Sequence, residues 1–306
     1  MNILQFNVRF PDEASCIKYI REEREKIGVV CRKCAKTDHY WLNSLNMFQC
    51  KNCCFRTGLK NGTVMENSKL PIRTWLLALT LISATKKGFS ALELQRQMGH
   101  SRYETVFRLY HKVREIMGKR DGLYKLKDMV EYDEAFIGKA TSVKDQKNLQ
   151  RGRGSQKQVP VAVMAESTIL EDYISDEKGK SCRYFKMVKV ANLKARTAEK
   201  LVKEFIDKEA VLQTDKSTTF VNLIDCVDTH VSEISSTKKG QFNLRWVHIA
   251  ISNLRRDLQK YHMISERMLQ NYLNEFCYKL NRRYFGRKLF DRLVIASVFP
   301  YLYTDV

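Results

Sequence analysis

The sequence predicts an α/β protein, in which a mixed sheet with flanking helices follows a cysteine-rich segment and a pair of short helices. Three observations carry this prediction. Apolar residues alternate in three segments after residue 128, as they do in strands with one buried face. Amphipathic helical patterns lie between and after the strands. Two CxxC pairs stand close together near the start of the chain, at metal-ligand spacing.

The first 120 residues predict helices on both sides of the cysteine-rich segment. An amphipathic helix is expected at about 12–27. A second helix, of about a dozen residues, has Pro71 near its start. Ser90 can cap a third helix together with Glu93, three positions on. A turn containing Gly99 then leads into a fourth helix, and two short helices around such a turn form the helix-turn-helix pattern.

The fourth helix, at about 102–116, is the candidate DNA-recognition helix. In a helix-turn-helix the second helix lies in the major groove, so its exposed side chains would contact bases or backbone. The candidates are Arg102, Tyr103 and Arg108. An ordinary helical hairpin gives the same short pattern, and the charge of the chain favours DNA binding over that alternative.

The charge balance is that of a nucleic-acid-binding protein. Lys and Arg number 54 against 34 Asp and Glu, which gives a formal net charge of +20 and a pI of about 9.6. The N-terminus lacks a signal-peptide pattern, and the longest apolar run, "WLLALTLISA", is too short to span a membrane. We therefore expect a cytoplasmic protein, nucleoid-associated in a bacterium, whose nine cysteines are metal ligands or core residues.

The two CxxC pairs predict a structural zinc ribbon. The pairs are separated by fifteen residues, and the four ligands are Cys31, Cys34, Cys50 and Cys53. Four protein ligands leave no open position for water, so the zinc is expected to be structural rather than catalytic. Cys54 and His39 are the alternative ligands.

The second half of the chain predicts three strands, a helix and a further strand. The strands are expected at about 129–137, 158–166 and 183–190, and the helix at about 196–208. The next strand, "AVLQTD", ends at Asp215. Residues 216–245 are expected to contain a helix and another short strand, and a long helical region follows at about 246–284.

An acidic pair interrupts the first of these strands, in "MVEYDEAFIGK". A carboxylate inside an apolar run needs a partner or a metal, because burying it alone is costly. In a sheet with this strand order, the strands of Asp133 and Asp215 are expected to be neighbours. Two adjacent carboxylates call for a divalent cation, Mg²⁺ or Mn²⁺. Glu134 points to the opposite face of the strand, so it is expected to be a bystander.

Several stretches of this sequence resemble the ISXO-type insertion-sequence transposases. They run in the family's order from about residue 28 to 284 and include "CRKC…CKNC", "KKGFSALELQRQMG", "EYDEAFIGK", "LQTDKSTTF" and "LQNYLNEFCYKLNRR". The resemblance implies a zinc ribbon and helix-turn-helix joined to an RNase H-like DDE domain. It also implies a transposase that binds the terminal inverted repeats of its element and catalyses two-metal cleavage and strand transfer. The first two acids fall on Asp133 and Asp215.

The third residue of the site departs from the family's usual Glu. The resemblance places it on Asn253, followed by the basic Arg255. An amide oxygen coordinates a hard cation without adding charge, so the second ion would be held more weakly. Asp257 and Glu275 are the alternative carboxylates.

Further basic residues are expected to contact DNA phosphates. They are Arg255 and Arg256 on the helix, and Arg151, Arg153 and Lys157 in the basic loop 138–157. His248 and His262 are expected to be structural or to contact phosphate, because a metal-activated water needs no histidine base.

The expected organisation is a helical segment at 1–27, a zinc ribbon at 28–66, a helix-turn-helix segment at 67–120 and a catalytic domain at 128–306. The expected partners are double-stranded DNA, as transposon ends and target, and at least one further copy of the chain in a synaptic complex; no membrane is involved. One alternative is a catalytically inactive, domesticated DNA-binding protein, which the neutral Asn253 suggests. The other is a nuclease of the same fold that hydrolyses DNA without joining strands.

Overall fold

The computed structural model describes residues 1–138, 155, 157–169, 180–233, 244–261 and 263–301. The predicted DNA contacts Arg151 and Arg153, and also His262, lie outside these residues. The chain divides into two compact units. The first contains Met1–Lys119 and the described residues after Asn281, and the second is Arg120–Asn281.

The helices and strands follow the predicted order with additions at both ends, except that two 3₁₀ helices (Thr218–Phe220 and Leu223–Asp225) stand where a helix was expected within 216–245. The α-helices are α1 (Ile3–Arg9), α2 (Glu13–Ile27), α3 (Ile72–Ala84), α4 (Ala91–Met98), α5 (Tyr103–Gly122), α6 (Ala195–Phe205), α7 (Arg245–Leu258), α8 (Leu269–Asn281) and α9 (Leu289–Val298). The strands are β1 (His39–Leu42), β2 (Met47–Cys50), β3 (Arg56–Gly58), β4 (Met129–Gly138), β5 (Gln158–Ile169), β6 (Lys180–Lys189), β7 (Val211–Asp215) and β8 (Thr229–Glu233). Helices α1 and α9 were not predicted, and the expected long helical region 246–284 is two helices, α7 and α8.

Local capping explains where the helices of the first unit begin and end. The Asp12 carboxylate accepts the backbone N–H of Ser15 at 2.8 Å, which starts α2. The hydroxyl of Ser90 accepts the N–H of Glu93 at 3.0 Å, as the predicted cap requires. Gly99, at φ +63°, ends α4 in the left-handed conformation that glycine adopts without strain. The predicted pair of helices around a glycine turn is therefore present.

The last described helix, α9, packs with the N-terminal helices of the first unit. The Phe290 ring lies 6.2 Å from that of Phe10 and stacks on Tyr19 at 6.4 Å, centroid to centroid. The Asp291 carboxylate pairs with Arg9 at 3.1 Å. The compact unit that contains the second sheet thus ends at residue 281, which differs from the expected catalytic domain 128–306.

The second unit is built on a mixed five-strand sheet in the order β6-β5-β4-β7-β8. Strands β4 and β5 pair antiparallel, as do β5 and β6. Strand β7 pairs parallel with β4 on one side and with β8 on the other. The predicted α/β class and the predicted pairing of the strands that carry Asp133 and Asp215 are confirmed.

Helices cover both faces of this sheet. Helix α6 packs on one face, over a core that includes Val130 and Tyr132. Helices α7 and α8 pack on the other, over a core that includes Ala135 and Ile137. Because neighbouring residues of a strand point to opposite faces, β4 contributes to both cores. No helix in the described part of the chain combines the length and apolar character that crossing a bilayer requires.

Candidate functional site

Asp133 and Asp215 lie side by side on two parallel strands, Asp133 in the middle of β4 and Asp215 at the end of β7. Strands β4 and β7 pair with Tyr132 opposite Thr214, and the same register, continued by one residue, sets Asp133 against Asp215. Residues in register on adjacent strands point to the same face, with backbones about 4.8 Å apart. The sheet thus presents two carboxylates together on one face.

The pair faces the α7 side of the sheet. Asp133 pairs across the sheet with Val163, which belongs to the core under α7. Glu134 pairs with Ala162, which belongs to the core under α6. The two adjacent acids therefore point to opposite faces, as the sequence predicted.

His248, in the first turn of α7, contacts Asp133. Its Nε2 lies 3.3 Å from the Asp133 Oδ2, and the side chains of His248 and Asp133 are 46% and 20% exposed. The hydrogen bond with Asp133 raises the pKa of His248, and the charges of Asp133, Glu131 and Asp215 raise it further, against the opposing effect of burial. The imidazole therefore lies within the electrostatic field of three carboxylates.

Glu131 ties the start of α7 to the same strand. It is buried, and its Oε2 accepts the backbone N–H of Val247 at 2.9 Å. Leu244, the residue before the helix, provides no side-chain cap, so the carboxylate of Glu131 acts as the cap from the neighbouring strand. An anion at a helix N-terminus also interacts favourably with the helix dipole.

Glu131 and His248 are the residues whose roles the sequence analysis missed. A signal was present for Glu131, because it alternates with Asp133 and so shares its face of β4. For His248 the sequence carries no comparable signal, since its contact with Asp133 depends on how α7 lies over the sheet.

Asn253 lies on a different edge of α7 from His248. Five residues at about 100° each separate the two side chains by about 140° around the helix axis. The apolar side of α7 packs into the core, with His248 at one margin and Asn253 at the other. This apolar side is formed by Val247, Ala250, Ile251, Leu254 and Leu258. Arg255, two turns beyond His248, lies on the same edge as His248. The structure therefore brings His248 to Asp133 and directs Asn253 elsewhere.

The two alternative carboxylates both form ion pairs. Asp257 pairs with Lys260 at 2.7 Å. Glu275 is buried on α8 and pairs with Lys279 at 3.0 Å. A buried acid with a lysine partner is a structural element of α8, because removing either charge would leave the other uncompensated.

The four predicted cysteines form a cluster. Within the ranges that the structure describes, they are the one group of three or more His, Cys, Asp or Glu side chains whose ligand atoms all lie within 4.8 Å of one another; its members are Cys31, Cys34, Cys50 and Cys53. The Sγ atoms of Cys31 and Cys53 are 3.5 Å apart, and those of Cys34 and Cys50 are 3.6 Å apart. A tetrahedral ion with metal–sulfur bonds of about 2.3 Å has ligands about 3.8 Å apart. The cluster could therefore hold a metal ion.

Two matching turns position these thiols. The N–H of Ala35 donates to the carbonyl of Cys31 at 2.9 Å, and the N–H of Cys54 donates to that of Cys50 at 3.0 Å. Ala35 and Cys54 both have positive φ, 56° and 58°. Cys54 is thus the exposed turn residue of the second knuckle, which separates it from the cluster. A backbone hydrogen bond from Lys36 lowers the pKa of the Cys34 thiol. The pKa of Cys53 is raised, because burial and the three other thiols outweigh a backbone hydrogen bond from Phe55.

The acidic site offers a different set of donors. Asp133 and Asp215 offer carboxylate oxygens, and His248 offers an imidazole nitrogen that lies 3.3 Å from the Asp133 Oδ2. Such a set suits a divalent cation.

The described candidate DNA contacts are exposed. They are Arg102, Tyr103 and Arg108 at the start of α5, Lys157, and Arg255 and Arg256 on α7. Arg108 forms only a long pair with Glu104, at 3.8 Å, and both side chains are at least 80% exposed. Such a pair contributes little to stability, which leaves the Arg108 guanidinium available to a phosphate.

Comparison with known proteins gives two matches. The model of the ISXO2-like transposase domain matches residues 125–281, just over half of the chain, and these residues coincide closely with the second compact unit. A protein of Halobacterium salinarum, described as "Uncharacterized protein in transposable element ISH50", is 24% identical over 182 residues. That match covers 55% of this chain and 60% of the relative, so the chain spans less than two thirds of the relative's length.

Proposed function

The chain belongs to the ISXO2-like transposase domain family, and from that premise we propose that it is a DNA transposase. It binds the terminal inverted repeats of its element, cleaves the DNA there and joins the ends to a target. The observation that carries the proposal is the adjacent pair Asp133 and Asp215, on parallel strands of the unit that matches the family.

The second unit has the RNase H-like fold that the resemblance implies. Three antiparallel strands followed by two parallel strands, with the acids on the first and fourth, support this assignment. Asp133 and Asp215 hold Mg²⁺ or Mn²⁺ ions, for which their oxygen ligands are suited. For the third ligand, the resemblance implies Asn253, whereas the observed contact favours His248.

The chemistry is phosphodiester transfer. When bound, divalent ions activate the attacking oxygen and stabilise charge on the leaving oxygen. Asp133 and Asp215 would act on the scissile phosphate only through the ions that they hold, because carboxylates by themselves repel it, and Arg255 is suited to pair with a phosphate oxygen. In strand transfer, the 3′-OH of the transposon end forms a new bond to a target phosphorus and loses its proton to solvent. The target's P–O3′ bond breaks, and the leaving 3′-oxygen takes up a proton from solvent.

The N-terminal unit supplies DNA binding and a structural metal. Four thiolate ligands favour zinc, because the sulfur atoms of the cysteine cluster are about as far apart as the ligands of a tetrahedral zinc ion. Helices α4 and α5 form the helix-turn-helix, with Arg102, Tyr103 and Arg108 at the DNA. A synaptic complex holds two transposon ends, which requires at least a dimer of this chain.

Joining of an end-bearing oligonucleotide to plasmid DNA tests the proposal. Asp133→Asn should reduce joining with Mg²⁺ or Mn²⁺ by at least about a hundredfold, because a metal ligand contributes several kcal/mol to transition-state stabilisation. The matched control is Glu134→Gln, which removes the adjacent charge on the other face of β4 and should retain joining.

Two outcomes would contradict the transposase assignment. Wild-type protein that binds end DNA but joins nothing with either ion would be an inactive DNA-binding derivative. Products that are hydrolysed but never covalently joined would identify a nuclease of the same fold.

A further inference from the structure

We propose that His248 is the third metal-binding side chain of the acidic site, in place of Asn253, and that its imidazole makes the site prefer Mn²⁺ to Mg²⁺. This inference rests on the proposed function, because it takes Asp133 and Asp215 as metal ligands. It assigns to this chain a nitrogen ligand at the position where the resemblance implies an amide oxygen.

The contact geometry supports a ligand role for His248. Its Nε2 lies 3.3 Å from the Asp133 Oδ2. Two ligands bound at right angles to an ion, each at about 2.1 Å, are about 3.0 Å apart. One cation can therefore bind both atoms after a small adjustment. The His248 side chain is 46% exposed, so an ion and a DNA phosphate can reach it from solvent.

The orientation of α7 selects His248 over Asn253. The helix packs its apolar side onto the sheet, and this packing holds His248 at one edge of that side. Asn253 lies about 140° away around the helix axis, so a rotation that brought its amide to Asp133 would lift Val247 and Ile251 out of the core. Both of these side chains are buried.

Glu131, on strand β4, helps to hold α7 in this orientation. Its carboxylate accepts the N–H of Val247, the residue before His248, at 2.9 Å. Glu131 and Asp133 are two residues apart on one strand and share a face. The same face of β4 thus fixes the start of α7 and supplies a carboxylate to the neighbouring imidazole, which makes Glu131 a positioning residue.

The imidazole determines which ion the site prefers. Mg²⁺ binds through oxygen ligands and keeps most of its water. Mn²⁺ also prefers oxygen ligands, but it is the first member of the divalent transition-metal series that binds nitrogen-containing sites, a series to which Mg²⁺ does not belong. A site with two carboxylates and one imidazole should therefore bind Mn²⁺ more tightly, relative to Mg²⁺, than a site with three carboxylates.

Mn²⁺ binding, followed by the electron paramagnetic resonance signal of the free ion, tests the inference without a DNA reaction. The full chain is used with its cysteine cluster loaded with zinc, and Asp133→Asn identifies the signal that belongs to the acidic site. His248→Ala should weaken Mn²⁺ binding by at least about tenfold, a loss typical of a damaged metal site. Asn253→Ala, on the same helix, should change it by less than about twofold.

Competition with Mg²⁺ provides the second measurement. His248→Glu should keep metal binding while lowering the ratio of Mn²⁺ to Mg²⁺ affinity, because it replaces nitrogen with oxygen. Circular dichroism of each variant checks that α7 is folded. A larger loss in Asn253→Ala than in His248→Ala would overturn the inference, and so would an unchanged affinity ratio in His248→Glu.

The joining assay separates failure of this inference from failure of the proposed function. If joining requires Asp133 but Mn²⁺ binding is the same in wild type and His248→Ala, the transposase assignment holds and this inference fails. If Mn²⁺ binding depends on Asp133 and His248 but no joining occurs, the metal site is supported and the transposase assignment fails.

Discussion

At the scale of single residues, Glu131 is a buried strand carboxylate that caps the start of a helix, a task that usually falls to the residue just before the helix. It is a buried acid, 4% exposed, and it caps a helix that belongs to a distant part of the sequence. A buried carboxylate is tolerated when it accepts hydrogen bonds, and the N–H of Val247 provides one at 2.9 Å. One strand residue therefore contributes, together with the apolar core, to the position of the helix over the acidic site.

Replacing Glu131 should destabilise the second unit. Glu131→Ala leaves the buried N–H of Val247 without its acceptor, and we expect a cost of about 1–3 kcal/mol in the free energy of unfolding. Glu131→Gln keeps an acceptor oxygen at nearly the same place, so it should recover most of that loss. Denaturant unfolding of the zinc-loaded chain measures both values. Equal stability of the Ala variant and wild type would show that the cap contributes nothing.

At the scale of elements, the cysteine ribbon is too small to fold on apolar contacts alone. Its three short strands, β1 to β3, bury few large side chains; Phe48 is the main one, and the ring of Trp41 packs against it at 4.8 Å. Two knuckles with the same hydrogen-bond pattern bring four thiols together. In such a ribbon, metal binding supplies much of the folding free energy.

Metal analysis should find one zinc ion per chain. The double change Cys31→Ser and Cys50→Ser should abolish zinc binding and leave the segment 28–66 open to proteolysis, because it removes one ligand from each knuckle. Cys54→Ser is the matched control: it changes the exposed turn residue beside Cys53 and should retain the ion. Zinc that remains bound after the double change would rule out the ribbon as its site.

At the scale of the whole molecule, the net charge of +20 favours binding to a polyanion, such as the DNA of the proposed function. Each lysine or arginine that contacts a phosphate releases a counterion, so affinity falls steeply with salt concentration. The candidate contacts that the structure describes are exposed in both units, which indicates that both could contribute to this salt dependence.

Changing Arg108 should reduce the salt dependence of binding to end DNA. If its guanidinium contacts a phosphate, Arg108→Ala should lower the slope of log K against log salt by about one. Lys18→Ala removes an exposed charge from α2, outside the predicted recognition helix, and should leave the slope unchanged. Fluorescence anisotropy over a range of salt concentrations measures both slopes. Equal slopes for wild type and Arg108→Ala would remove Arg108 from the DNA interface.

By itself, the sequence determined the features that depend on local spacing and strand order. The four cysteines were predictable because CxxC pairs form compact turns. The pairing of the strands that carry Asp133 and Asp215 was predictable from the order of three strands, a helix and a strand, in which the helix crosses the sheet and the fourth strand lies parallel beside the first. The capped helices around Gly99 followed from residues within a few positions of one another.

Only the tertiary structure decided the features that depend on how distant elements pack. It joined α9 to the N-terminal helices, and it brought His248, rather than Asn253, to Asp133. His248 and Asn253 both flank the apolar side of α7, and the local sequence pattern does not indicate which of them contacts the carboxylates of the sheet. Burial of that side in the core and the cap from Glu131 settle the rotation of the helix, and both depend on elements distant in sequence; Glu131 lies 116 positions from Val247.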